Sequence, residues 1–129
     1  MTSCPLNALV VDDTPINVKL VTALLKANNF VVTIATTGEA ALDLVKHTDF
    51  GLILLDIRLP GIDGLTVART LRADPRHRHV LIVAVTASAM KTDVAAALDA
   101  GCDAFISKPI NTRTLIPTLH DLLARRKPA

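Results

Sequence analysis

Aromatic residues are nearly missing from this chain, which has no Trp, no Tyr and three Phe among 129 residues. It therefore offers no platform on which bases could stack or a flavin ring could be flanked. Cysteine is scarce as well: Cys4 and Cys102 make neither a CxxC pair nor a disulfide framework, so reduced thiols in the cytosol are the simplest account. Charge of one sign is lacking, because the formal net charge is only +2 and no long run concentrates it. That is a poor basis for nucleic-acid binding. The Arg76-His77-Arg78-His79 stretch reads as a solvated loop. No apolar run approaches the ~18 residues of a membrane span, and no signal-like segment precedes Cys4. Neither export nor membrane insertion is expected, and a cytoplasmic protein is. What remains is 50% hydrophobic and 20% charged, a globular composition at a length that suits one domain with a real core.

That core can be traced as short apolar runs. Leu52-Ile53-Leu54-Leu55 is too short for a helix and reads as a strand buried on both faces, ending at Asp56 and the loop with Pro60, Gly61 and Gly64. Ala8 to Val11 is a second such run, ending at Asp12 and Asp13. Thr14-Pro15 then opens a helix whose Ile16, Leu20, Ala23, Leu24 and Ala27 follow one face, with Asn28-Asn29 closing it. Phe30 to Ala35 is a β-branched strand, and Thr36 or Thr37 caps a helix with Ala41, Leu44 and Val45 inward. Leu65, Ala68 and Leu71 mark a third helix stopped near Asp74-Pro75. Val80 to Val85 is a strand ending at Thr86. Met90, Val94, Ala97 and Leu98 form a helical face, with Gly101 where a left-handed terminus is wanted. Ala104 to Ser107 is the fifth strand, ending at Lys108-Pro109. Asn111 can cap a last helix with Leu115, Leu119, Leu122 and Leu123 inward, and Pro117 predicts distorted first turns or a start as late as Thr114. Arg125, Arg126 and Lys127 suit its negative end.

Five strands alternating with five helices predict an α/β fold: a doubly wound, five-stranded parallel sheet covered on both faces. The domain spans residues 1–129 with a core of about 6–124, and no output domain is expected. Ligands of such sheets bind beyond the carboxyl ends of the strands. Those ends carry Asp12, Asp13, Asp56, Thr86 and Lys108. Three like charges crowded together require a cation, of which Lys108 supplies one and a hard divalent ion such as Mg²⁺ the remainder. In that cluster Asp56 is a nucleophile toward phosphorus, Asp13 and Asp56 hold the metal, and Asp12 holds it through water. Lys108 pairs with one phosphoryl oxygen and Thr86 hydrogen-bonds another. The bland alternative for Asp56 is a residue that merely begins a turn.

The motifs VVDD (10–13), LLDIRLPGIDG (54–64), VTASAMK (85–91) and FISKPI (105–110) together resemble a response-regulator receiver domain over nearly the whole chain. The resemblance implies a flavodoxin-like (βα)₅ sheet of order 2-1-3-4-5, with Asp56 as phosphoacceptor, Asp12 and Asp13 as the acidic pair, Thr86 as switch hydroxyl and Lys108 as the active-site lysine. It adds the main-chain carbonyl of Arg58 as a metal ligand, Mg²⁺ (or Mn²⁺) as cofactor and a cis Lys108-Pro109 peptide. Phe105 takes the place of a switch aromatic that turns inward when Thr86 moves, reshaping the face of the fourth helix, fifth strand and fifth helix; packing alone is the other reading of Phe105. Arg58 and Ser88 stand where the family tunes dephosphorylation, or are ordinary loop residues. Asn17, AVTASAMK and GCDAFISKPI give the chain the texture of single-domain regulators of bacterial cell division and of hybrid-kinase receivers.

The implied partners are a histidine kinase or histidine phosphotransfer domain docking near the first helix, and a downstream protein. No nucleic acid or membrane is implied, and a monomer or weak dimer is. A phosphate sink or relay intermediate is an alternative role, and an Asp-nucleophile hydrolase is one of another class. The hydrolase would want an acid two residues after Asp56, where Arg58 stands. A flavin carrier lacks its aromatic residues. His77-x-His79 could touch a metal but reads as surface.

Overall fold

Alternate residues of the central strands go to opposite cores, and that sets the layers. Leu9, Val11, Ile53, Leu55, Ile82 and Ala84 join one buried cluster, while Ala8, Val10, Leu52, Leu54, Leu81 and Val83 join the other. The computed structural model describes residues 6–59, 61–77, 80–86, 91–107 and 110–125, the side chains of 91–94 and 125 excepted. In chain order the elements are β1 (Leu6–Val11), α1 (Pro15–Ala27), β2 (Phe30–Ala35), α2 (Gly38–Val45), β3 (Leu52–Asp56), α3 (Gly64–Ala73), a 3₁₀ turn (Pro75–His77), β4 (Leu81–Thr86), α4 (Lys91–Asp99), β5 (Ala104–Ser107) and α5 (Leu115–Arg125). The strands are parallel and ordered β2-β1-β3-β4-β5, a flavodoxin-like sheet. Helices α2, α3 and α4 cover the first cluster and α1 and α5 the second. Both β3 and β4 are buried at every position, which is why they read as unbroken apolar runs.

Local signals fix most boundaries. Thr37 caps α2 by accepting from the N–H of Ala40 at 3.1 Å. Asn28 closes α1, its side chain donating to the Leu24 carbonyl at 2.8 Å, and Asn29 follows at φ +67°. Gly101 adopts φ +108° after α4, a conformation that glycine alone takes without strain.

Four expectations need correction. In α1 the buried residues are Val21 and Leu25, whereas Ala23 and Ala27 are exposed and Ile16 is 78% exposed. This helix carries two overlapping apolar stripes, and the one with Val21 and Leu25 packs into the core of the sheet, while the Thr14 N–H on Asp12 holds the helix start. Ala97 in α4 and Ala100 just after it are buried while Leu98 is exposed; one residue is a turn of about 100°, so seating the small pair turns Leu98 to solvent. His77 is buried rather than a surface residue, because the 3₁₀ turn folds it under α3. Asn111 does not cap α5 directly. Its side chain accepts from the Arg113 N–H at 2.9 Å and its carbonyl from the Leu115 N–H at 3.0 Å, closing a turn before the helix begins at Leu115. Pro117 thus falls in the first turn, where no intrahelical hydrogen bond is lost.

Candidate functional site

Asp12 extends the line of β1 by one residue, its N–H donating to the Ala35 carbonyl at 3.1 Å. Its side chain is buried and accepts the Thr14 N–H at 2.8 Å, so the carboxylate also fixes the start of α1. Asp13, next along the chain, is exposed. Asp56 is the last residue of β3, level with Val85 of β4, and is buried. One of its oxygens accepts the Arg58 N–H at 3.0 Å, and the Ile57 N–H donates to the Val85 carbonyl at 3.1 Å. The residue that carries the carboxylate is therefore held by backbone on both sides.

Each of Asp12, Asp13 and Asp56 offers a carboxylate oxygen, and these oxygens lie within 4.8 Å of one another. Repulsion at that separation is on the order of 1–3 kcal/mol per pair of charges, between the values for water and for a protein surface. Two buried members and one exposed member make an acidic pocket open on one side. Its hard oxygen donors suit Mg²⁺, which takes one or two carboxylates and keeps waters. Thr86 ends β4 on the neighbouring strand and is buried. Phe105 is level with Ala84 and Ser107 with Thr86. Residues level in a parallel ladder point to the same side of the sheet, so Phe105, Ala84 and Thr86 share the α4 side. Phe105 is 37% exposed on the edge strand. Lys108, the Lys108-Pro109 peptide and Ser88 lie outside the described residues.

Two residues carry no role in the sequence reading: one caps the helix that follows the Asp56 loop, and the other ties segments at the far end of the sheet. Asp63 caps α3, accepting the Thr66 N–H at 2.9 Å. That hydrogen bond holds its carboxyl below the usual carboxylate range, as does the Thr66 side chain, while Arg69 adds a smaller effect. An Asp just before the apolar periodicity of a helix is a start signal that could have revealed it. Arg72 is tied to residues 29 and 31 positions away, and no local pattern points to that.

Comparison with known proteins agrees with this geometry. The model of the response regulator receiver domain matches residues 8–120. The polar-differentiation response regulator DivK of Brucella anthropi is 39% identical over 119 residues, 92% of this chain and 97% of that protein. A response regulator of Chloroflexus aurantiacus superposes with a TM-score of 0.89 at 28% identity, covering 94% of this chain and 99% of that one. The receiver domain of a sensor histidine kinase of Pseudomonas aeruginosa, solved with magnesium in its active-site cleft, gives 0.85 at 31% identity, covering 92% and 98%. Among the described residues no helix is long and apolar enough to cross a membrane. A family match across most of the chain, on a sheet whose carboxyl edge gathers three aspartates, leaves one assignment: the chain belongs to the response-regulator receiver family, the signalling modules of two-component systems.

Proposed function

We propose that Asp56 is the phosphoacceptor of a two-component or phosphorelay switch, taking a phosphoryl group from a phosphohistidine. The observation that carries this is the convergence of Asp12, Asp13 and Asp56 within 4.8 Å at the carboxyl edge of the sheet. A carboxylate oxygen of Asp56 attacks phosphorus, the phosphorus–nitrogen bond to the donor imidazole breaks, and an acyl phosphate forms. Asp13, Asp56 and the Arg58 carbonyl are the proposed direct ligands of Mg²⁺ or Mn²⁺, with Asp12 holding the ion through water. Held there, Mg²⁺ would supply the positive charge that offsets charge on the transferring group. Thr86 donates its hydroxyl to one phosphoryl oxygen, and Lys108 pairs with another.

Phosphorylation adds about −1.5 to −2 charge at Asp56. The Thr86 hydroxyl then turns toward it and frees space on the α4 side, into which the half-exposed Phe105 rotates. Having no hydroxyl, Phe105 buries no unpaired polar atom when it does so. The face of α4, β5 and α5 thereby changes its affinity for a downstream protein, and the chemistry is confined to the domain's own phosphorylation and dephosphorylation. The donor, a histidine kinase or phosphotransfer domain, docks on α1, where Ile16 is 78% exposed three residues past Asp13. Output by binding another protein in the cytoplasm is part of this reading.

Labelling with acetyl phosphate tests the assignment. Wild type should take up label only with Mg²⁺, and Asp56→Asn should take up none. Equal labelling of the two proteins would overturn it. For the switch, beryllofluoride should shift the NMR signals of Thr86 and Phe105; unchanged signals there would remove the rotation step.

A further inference from the structure

At the edge of the sheet opposite the aspartates, Arg72 joins four parts of the chain. It lies in the last turn of α3. Its Nε donates to the Gly101 carbonyl at 2.7 Å and its Nη1 to the His77 carbonyl at 3.2 Å. Its Nη2 forms an ion pair with Asp103. The same Asp103 oxygen accepts the Ile82 N–H at 2.8 Å, and the Asp103 N–H donates to the Ile82 carbonyl at 2.8 Å. The guanidinium thus binds the turn after α4 to the start of β4 and to the 3₁₀ turn. A Cβ on Gly101 would collide with the Arg72 stem, so the packing is as close as the hydrogen bonding.

The body of α4 is held differently. Of its described side chains only Ala97 is buried, with Ala100 just beyond its end, and Leu98 is half exposed. Methyl groups bury little apolar area, so over its described side chains, residues 95–99, the helix contributes little apolar burial. The C-terminal end is held by hydrogen bonds from Gly101 to the Leu98 carbonyl at 3.1 Å and from Cys102 to the Ala97 carbonyl at 3.0 Å, then by Arg72. The N-terminal end follows Thr86 after four residues. A helix held at its C-terminal end by these bonds and joined at its other end to a strand that moves turns about the held end.

We propose that Arg72 is a positioning residue that pins the C-terminal end of α4, so that a change at Thr86 swings the helix about Gly101 instead of moving it whole. The proposal rests on the phosphoacceptor reading of Asp56 and adds to it the place of the hinge. The three divergent donors of a guanidinium are needed, because one ammonium cannot reach Gly101, His77 and Asp103 together.

Amide hydrogen exchange on the full chain, with Mg²⁺ and with or without beryllofluoride, tests this. In wild type the amides of residues 91–95 should change rate by about fivefold or more, and those of 100–103 by less than about twofold. In Arg72→Ala the beryllofluoride-induced change should spread into 98–103, where exchange in both states rises by about tenfold. Should that variant be too unstable, Arg72→Lys and Asp103→Asn should show the same spread in weaker form. A purely structural arginine would raise exchange evenly without redistributing the response, and that result overturns the pin. Equal changes at 91–95 and 100–103 in wild type also overturn it while leaving the phosphoacceptor assignment intact. No change anywhere, including at Asp56 and Thr86, sinks both.

Discussion

Gly64 lies against the backbone of Asp56. Its N–H donates to the Ile57 carbonyl at 2.9 Å, and a Cβ placed on it would collide with the Asp56 carbonyl oxygen and sit 2.8 Å from the Ile57 Cα. The first residue of α3 therefore closes the loop directly beneath the proposed phosphoacceptor, and no flexible side chain is available there to yield.

Gly64→Ala should accordingly cost about 1–3 kcal/mol, the range for overpacking a tight site, and it should weaken Mg²⁺ uptake by displacing the strand end. Urea unfolding followed by circular dichroism checks the first part and titration calorimetry the second. Tryptophan fluorescence has no reporter here, since the chain contains no Trp.

Removing one charge from the acidic trio should reverse sign with metal. In EDTA, Asp13→Asn relieves repulsion and should raise stability by about 1 kcal/mol, a few degrees in melting temperature. With millimolar Mg²⁺ the wild type should gain stability by mass action and the variant should gain much less. Equal responses to Mg²⁺ would detach Asp13 from the metal site.

Loss of the α3 cap in Asp63→Ala should cost about 1 kcal/mol at neutral pH. The folded carboxyl lies below its usual range because it accepts the Thr66 N–H. Its charge-dependent stabilisation is therefore complete above the unfolded pKa of about 4 and fades as pH falls through the lower folded value. The difference between wild type and variant should stay level from neutral pH down to about 5, then narrow below about 4; a penalty unchanged in acid would contradict the charged cap.

Burial pushes the Cys102 thiol up from 9.0 to about 11, with Asp103 adding to the rise and Arg72 opposing it. Because the folded value is the higher one, the stabilisation is whole below pH 9 and is lost as pH rises toward 11. A shift of that size corresponds to about 2–3 kcal/mol. Unfolding of wild type and Cys102→Ala compared from pH 8 to 11 should show the wild type losing the larger share, and a thiol reagent at pH 8 should leave native Cys102 untouched. Rapid labelling at that pH would show the thiol to be accessible.

Strand positions and the acidic edge were legible because each is written locally. Leu52 to Leu55 is apolar throughout, so both faces had to be covered, and the residue ending such a strand had to lie at a sheet edge. The α1 face was not legible, because Ile16, Leu20 and Ala23 repeat as regularly as Val21 and Leu25, and which stripe is buried depends on how the helix packs against the sheet. Leu98 misled for a related reason: hydrophobicity favours burying it, but the spacing of Ala97 and Ala100 rules the helix. Burial of His77 and the tie between Arg72 and Asp103 depend on segments brought together only by folding. The VTASAMK and FISKPI motifs could name Ser88 and Lys108, which the described residues do not include.

The division of successive β3 residues between two cores constrains its length by parity. Deleting one residue ahead of Asp56 would leave the remaining leucines facing the wrong layers, or else rotate the carboxylate half a turn away from Asp12 and Asp13. Deleting two would preserve every facing and only draw the acid down by one pleat. Among homologous chains, β3 should therefore tolerate length changes in even steps, however freely the loops on either side of it vary.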